Sequence, residues 1–380
     1  MNETATPVRP ADRVESIDVV RGVALFGVMA INLLTSFRAS IFQQFLPPVT
    51  ASGAADRWTE AIAYYGLDMK AFSLFSFLFG VGLAIQYERL SRHGSPLYWL
   101  SRRLAILLVF GLIHLFFIWN GDILTEYAVA GFVVLPLLVA RGWLLAAATA
   151  GCLVFYTLMP VLRLPIPWPD QSGFQQLVAA ANHAYGHGSF MQEHRFAMRE
   201  VAAIVPLHLS VLPRTIGLFA LGVLSWRAGL FARPYENCAR IAVLAVILTA
   251  LGGVLTHADG PMTGRIAPAL LALGYCATLV WLVEFTSLRG LLSAFAPLGR
   301  MAFSNYIAES LIFSVVFFGF GLGLYGRIGP ASTLLLGSSV YAVQMAVSAW
   351  WLRRYRFGPL EWLWRSLMYG RRQPFRRSAA

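Results

Sequence analysis

Apolar runs long enough to cross a bilayer recur along the whole chain, and the basic residues gather at their ends. A helix needs about 20 apolar residues to span the hydrocarbon. The stretches 17–37, 71–87, 104–119, 123–139, 144–162, 204–225, 239–256, 266–286, 297–323 and 332–352 approach or exceed that length. Only 13% of the residues are charged, against about 25% in ordinary soluble domains. These features predict an all-α polytopic membrane protein, a bundle of about ten transmembrane helices forming one transmembrane domain over 1–380.

A formal net charge of +12 would elsewhere suggest nucleic acid. Here the arginines flank apolar runs, which makes them a topology signal and makes membrane lipids the expected partner, with no nucleic acid. They collect before the first span (Arg9, Arg13), at 88–103, at Arg141, at 226–240 and at 353–380, and Arg289 and Arg300 agree. With positive charge inside, both termini are cytoplasmic, and 38–69, 120–122 and the polar 162–200 loop are external. The first apolar run has no small-residue cleavage site and reads as a retained helix. Within the basic cytoplasmic tail 353–380, Trp362, Trp364 and Tyr369 among arginines predict an amphipathic helix over 358–370, with disorder beyond. Cys152, Cys238 and Cys276 lack metal-type or paired spacing, so neither a metal site nor a disulfide is expected.

Polar residues inside the spans carry the chemistry. His114 interrupts the third apolar run, and an intramembrane histidine is either paired between helices or functional. Arg21 and Asn32 are eleven residues apart in the first span, as are Arg103 and His114 in the third. That interval returns to nearly the same helix face about 16 Å further along, so both arginines sit near the cytoplasmic face, with Asn32 and His114 at matching depth. Asp18 shares the first stripe, where it also makes an i,i+3 partner for Arg21. Asp122 either orients a neighbouring imidazole or caps the fourth helix. Glu309, on one face with Asn305, needs a partner in hydrocarbon, and Arg214 beside Pro213 is the expected one, with His208 nearby. Gly80 and Gly82 suit close helix packing.

The strings RVESIDVVRGVALFGVMAIN (13–32), FSLFSFLFGVGLAI (72–85), RRLAILLVFGLIHLFFIWNGDILTEYAVAGF (102–132), LGRMAFSNYIAESLIF (298–313) and RFGPLEWLWRSLMYG (356–370) resemble the YeiB-like bacterial membrane proteins. The C-terminal part is similar to their domain of unknown function 418. The beginning is similar to the wider transmembrane acyltransferases, of the acyltransferase-3 and heparan-glucosaminide N-acetyltransferase types, which share Leu-Asp-x-x-Arg-Gly in a first helix. Where acyltransferase-3 proteins place a histidine eleven residues after the arginine, this chain has Asn32, as the glucosaminide acetyltransferases do.

The resemblance implies a bacterial inner-membrane enzyme with acyl-CoA as donor substrate, no tightly bound cofactor, and a glycan, lipid or small-molecule acceptor at the outer face. Arg21, Arg102 and Arg103, with Asp18, would form the CoA site. His114 would be the general base, Asn32 the oxyanion donor and Asp122 the orienting carboxylate. The alternative class is a transporter of a small polar or amphipathic solute with His114, Arg214 and Glu309 as relay. A structural membrane partner is a third. No internal repeat of the kind common in transporters is evident.

Overall fold

The computed structural model describes residues 14–47, 53–92, 94–162, 164, 166–258 and 260–377. Arg9 and Arg13 and the tail end 378–380 lie outside the described residues. The regular elements are helical: α1 (Glu15–Asn32), α2 (Ala54–Ile62), α3 (Lys70–Ser91), α4 (Pro96–Phe117), α5 (Leu124–Val134), α6 (Gly142–Leu162), α7 (Gln171–His187), α8 (Phe190–Arg227), α9 (Cys238–Thr256), α10 (Thr263–Phe285), the short α11 (Arg289–Leu292) and α12 (Ala296–Arg300), α13 (Ala302–Phe317), α14 (Pro330–Arg354) and α15 (Pro359–Tyr369). Among the described residues, eight helical stretches are long and apolar enough to cross a membrane, α2 and α3 counting as one. Leu124–Leu138 and Ala302–Phe317 are shorter apolar helices. The protein is a multi-pass membrane protein, and the apolar outward face of α9, with Val246 and Val254 more than two-thirds exposed, is a face for lipid.

The axis of the bundle is the contact of α3 with α8. A Cβ at Gly80 would overlap the Phe219 carbonyl, and one at Gly222 would overlap the Phe77 carbonyl. Small residues facing each other let the two backbones touch, the usual basis of tight packing where lipid supplies no hydrophobic drive between helices. α6 lies on α8, α9 on α10, and α12 crosses the start of α1. α4 packs on α5, α15 and α3.

Two expectations about extramembrane segments are corrected. The 162–200 loop is largely helical: Asp170 caps α7 by accepting from the Gly173 N–H at 2.7 Å, and those hydrogen bonds hold its exposed carboxyl below the usual range. Ser189 and Gln192 form a capping box that starts α8. At 38 residues α8 is far longer than a bilayer requires. Its first turns, with α7, therefore extend the bundle beyond the apolar zone, where Phe174, Val178 and Ile204 bury Phe42. The basic tail is likewise ordered as far as Arg377. After the predicted helix, here α15, it turns back so that the Arg356 N–H donates to Phe375 O at 2.9 Å and Trp362 Nε1 to Gln373 O at 2.8 Å.

Replacing Gly80 with Leu drives a side chain into the α8 backbone. Overpacking of this kind costs about 1–3 kcal/mol, so the melting temperature of the detergent-purified protein should fall. Unchanged melting would mean that the α3–α8 contact is looser than described.

Candidate functional site

α4 ends at Phe117, and the chain turns through Trp119, Asn120, Gly121 and Asp122 into α5. Trp119 anchors this turn by stacking on Phe37 at 4.5 Å between ring centroids. Asp122 then accepts from the Leu124 N–H (3.1 Å) and the Thr125 N–H (2.7 Å), satisfying the first turn of α5. The same carboxylate lies 2.9 Å from Nδ1 of His114. The two roles the sequence left open for Asp122 are thus performed together. Nε2 of His114 lies 3.0 Å from Ser310 Oγ on α13. A carboxylate partner at Nδ1 places the ring hydrogen there, which leaves Nε2 to accept from the serine hydroxyl. His114 is 0% exposed, Asp122 2% and Ser310 1%. This is a buried carboxylate–imidazole–hydroxyl relay, the ordering that activates a hydroxyl in acyl transfer.

A cavity of about 240 Å³ lies between α1 and α4 on the arginine-rich side of this relay. Arg21, Arg89, Arg103, Arg300 and Arg365 line it together with apolar residues that include Leu25, Val28, Leu107 and Leu124. α15 contributes Trp364, Met368 and Tyr369. Gly82 leaves the space that the Arg21 guanidinium fills, since a Cβ there would stand 3.0 Å from Nη2. The Arg103 guanidinium sits between the rings of Phe79 (5.2 Å) and Trp364 (4.7 Å), and among the described residues its buried Nη1 has no hydrogen-bond partner. Glu361 is bound to the start of α13, accepting from the Ser304 N–H and hydroxyl. Burial pushes the Glu361 carboxyl above its usual range while those donors pull it down. Tyr306 also lines the cavity; its ring lies 5.1 Å from that of His114, and its hydroxyl donates to Gly121 O at 3.3 Å.

The eleven-residue stripes do face a common cavity: Arg21, Leu25 and Val28 line it from α1, and Arg103 and Leu107 from α4. Asn32 and His114 continue those stripes beyond the cavity lining. The direct Asn32–His114 pairing is not made, because both imidazole nitrogens are engaged elsewhere. Asn32 is half-buried and makes no side-chain hydrogen bond among the described residues. Asp18 pairs with Arg21 at 3.6 Å and lines a neighbouring pocket that shares Arg21, Arg300 and Arg365 with the first. Arg102 does not line the cavity; it lies at the far end of α15, against Gly370.

The expected Arg214–Glu309 ion pair is not formed. Arg214 contacts Met69 Sδ and the Tyr156 ring, and Glu309 leaves Oε1 without a hydrogen-bond partner. Asn305 is structural, donating to Ser348 Oγ at 3.0 Å. His208 pairs with Glu126, Nδ1 to Oε2 at 2.8 Å, and Thr215 donates to the same carboxylate. Asn120 donates to Glu200 at 2.7 Å, and Tyr185 donates to Glu200 as well. Sequence reasoning missed Ser310, Glu126 and Glu200. Glu126 could have been found as the one carboxylate inside the fourth apolar run. Ser310 gives no such signal, because a helical serine commonly satisfies itself on the carbonyl four residues back; Tyr306 O is 3.2 Å from Ser310 Oγ and competes with His114 Nε2, 3.0 Å away, for the single hydroxyl hydrogen.

The family model "Protein of unknown function (DUF418)" matches residues 225–371, which hold Arg300, Ser310 and α15. Relatives match nearly end to end. Uncharacterized protein YxaH of Bacillus subtilis is 34% identical, with 97% of each chain covered. An uncharacterized 39.9 kDa protein encoded in the amylase 3′ region of Bacillus acidopullulyticus is 27% identical, again with 97% of each covered. Uncharacterized protein YeiB of Escherichia coli is 26% identical over 94% of this chain and 96% of its own. With a relative this similar over almost its whole length, the chain belongs to the YeiB-like DUF418 family of membrane proteins.

Proposed function

We propose that this protein is an acyltransferase of the bacterial inner membrane that takes an acyl group from cytoplasmic acyl-CoA and delivers it to an acceptor at the outer face. The observation that carries the reading is the arginine-lined cavity ending beside the Asp122–His114–Ser310 relay. Phosphates are held by guanidinium groups through charge-assisted hydrogen bonds. Arg103, pinned between two aromatic rings with a nitrogen unpartnered, is preorganised for such a ligand. The apolar lining beyond it suits a pantetheine arm and an acyl chain. In this reading His114 is the general base, Asp122 fixes its tautomer, and Asn32, half-buried past Val28, is the oxyanion donor. The relay proposed for a transporter draws no support from hydrogen bonding, since His114, Arg214 and Glu309 each have other contacts or none.

The reading carries a topology: the eight long helices plus α5 and α13 make ten spans, with both termini and the arginine mouth cytoplasmic. Reporter fusions near Gln175 should read external and those at the C-terminus cytoplasmic. An external C-terminus would put the cavity on the wrong side for acyl-CoA.

Arg103→Ala should weaken CoA binding to the purified protein. Losing a charged hydrogen-bonding group costs about 1.5–3 kcal/mol, roughly 10–100-fold in affinity. Titration calorimetry in detergent reads this directly. Equal affinity in variant and wild type would exclude the cavity as the donor site.

A further inference from the structure

We propose that Ser310 carries the acyl group covalently, so that transfer runs in two steps through an acyl-serine. The proposal rests on the acyl-CoA reading above and deepens it. In a single-step transfer, Nε2 of His114 must accept the proton of the incoming acceptor. That nitrogen is already 3.0 Å from Ser310 Oγ, and the other is 2.9 Å from Asp122. The imidazole is 0% exposed. The hydroxyl that His114 is placed to deprotonate is therefore that of Ser310, and a serine next to an oriented base is an activated nucleophile.

The depth also fits. Arg103 precedes His114 by eleven residues on α4, about 16 Å along the helix, and Arg300, which ends α12, precedes Ser310 by ten across the break at Met301 that separates α12 from α13. Tyr306 stands between, one turn before Ser310 on α13. Its ring lines the cavity and is 5.1 Å from the imidazole. Its hydroxyl is held by a long bond to Gly121 O, 3.3 Å. Tyr306 is the wall that turns aside when the thioester reaches Ser310.

In the first step Nε2 takes the Ser310 hydroxyl proton as Oγ bonds to the thioester carbonyl carbon. The tetrahedral species collapses, the C–S bond breaks, and the departing thiolate takes the proton from Nε2 to leave as CoA thiol. In the second step Nε2 takes a proton from the acceptor hydroxyl or amine, which attacks the serine ester. The Oγ–carbonyl bond breaks and Ser310 recovers the proton. The sum is acyl-CoA plus acceptor giving acylated acceptor plus CoA, with nothing oxidised or reduced. Donor and acceptor, arriving from opposite sides, then never need to occupy the site together.

The test incubates the full-length purified protein with radiolabelled acetyl-, butyryl- and octanoyl-CoA in the absence of acceptor, then maps label by peptide mass spectrometry. The expected result is one acyl group on Ser310, removed by alkaline hydroxylamine. Ser310→Ala should still bind CoA, because the arginine mouth is intact, but should lose the label and the accompanying CoA release by about 100-fold or more. Ser310→Cys should take up label as a thioester that neutral hydroxylamine cleaves. Three results overturn the acyl-serine but leave the acyl-CoA reading standing: label on His114 or elsewhere, wild-type CoA release by Ser310→Ala, or acyl-CoA bound with neither label nor release. A wild-type protein that binds none of the three acyl-CoAs overturns both.

Discussion

The Asp122 carboxylate is the interaction on which the middle of the bundle depends. It lies where α4 has ended and α5 has not begun, a place where backbone N–H groups lack helical partners. In a membrane protein such groups must be satisfied internally, at several kcal/mol each if they are not. Asp122 takes two of them and the His114 imidazole as well. Its neighbours use the same turn. Trp119 stacks on Phe37 in the π-helical turn that continues α1, Asn120 reaches Glu200 on α8, and the Gly121 carbonyl holds Tyr306 on α13. A turn of four residues thereby ties α1, α8 and α13 to the α4–α5 junction, and the relay is a by-product of how the junction is satisfied.

This centre was legible in the sequence to the extent that its members stand out against hydrocarbon. A histidine in an apolar run and an aspartate closing it are conspicuous, and their eight-residue separation across a turn permits the contact that forms. Ser310 was silent because a hydroxyl is cheap on a helix. The Arg214–Glu309 pair failed for a different reason: comparable depth says nothing about which faces of two distant helices meet. Arg214 turns to Met69 and Tyr156 instead. Asn32 and His114 were expected to line one cavity together; Arg21 and Arg103 on the same stripes do line a shared cavity, but Asn32 and His114 do not, and Ile123, Leu124 and Tyr306 are part of its lining instead. The 162–200 segment read as a loop because its prolines and charges mask two N-caps, Asp170 and Ser189, that start α7 and the first turns of the long helix α8.

α15 shows how a local pattern can be right and its role unseen. Its tryptophans and arginines announce an amphipathic helix, and the expected apolar partner is lipid. The helix instead docks on α4 and α13. Glu361 fastens its first turn to Ser304, and Trp364 donates to Arg103 O at 3.0 Å while its ring covers the Arg103 guanidinium. The cavity therefore has Arg103 held by a segment distant in sequence from α4, and the same segment supplies Arg365 to the lining. That arrangement makes the pocket a built feature of the fold, with the Arg103 guanidinium held between two rings before any ligand arrives.

In the proposed reaction one ligand spans from the arginine mouth to the relay. A cryo-electron microscopy structure of the protein with a non-hydrolysable acyl-CoA analogue tests it most directly. The expected density has phosphates against Arg21, Arg103, Arg300 and Arg365, the arm running past Leu25 and Leu107, Tyr306 displaced, and the acyl carbonyl carbon beside Ser310 Oγ. An analogue seated elsewhere, or one whose acyl end stops short of an undisturbed Tyr306, would contradict it.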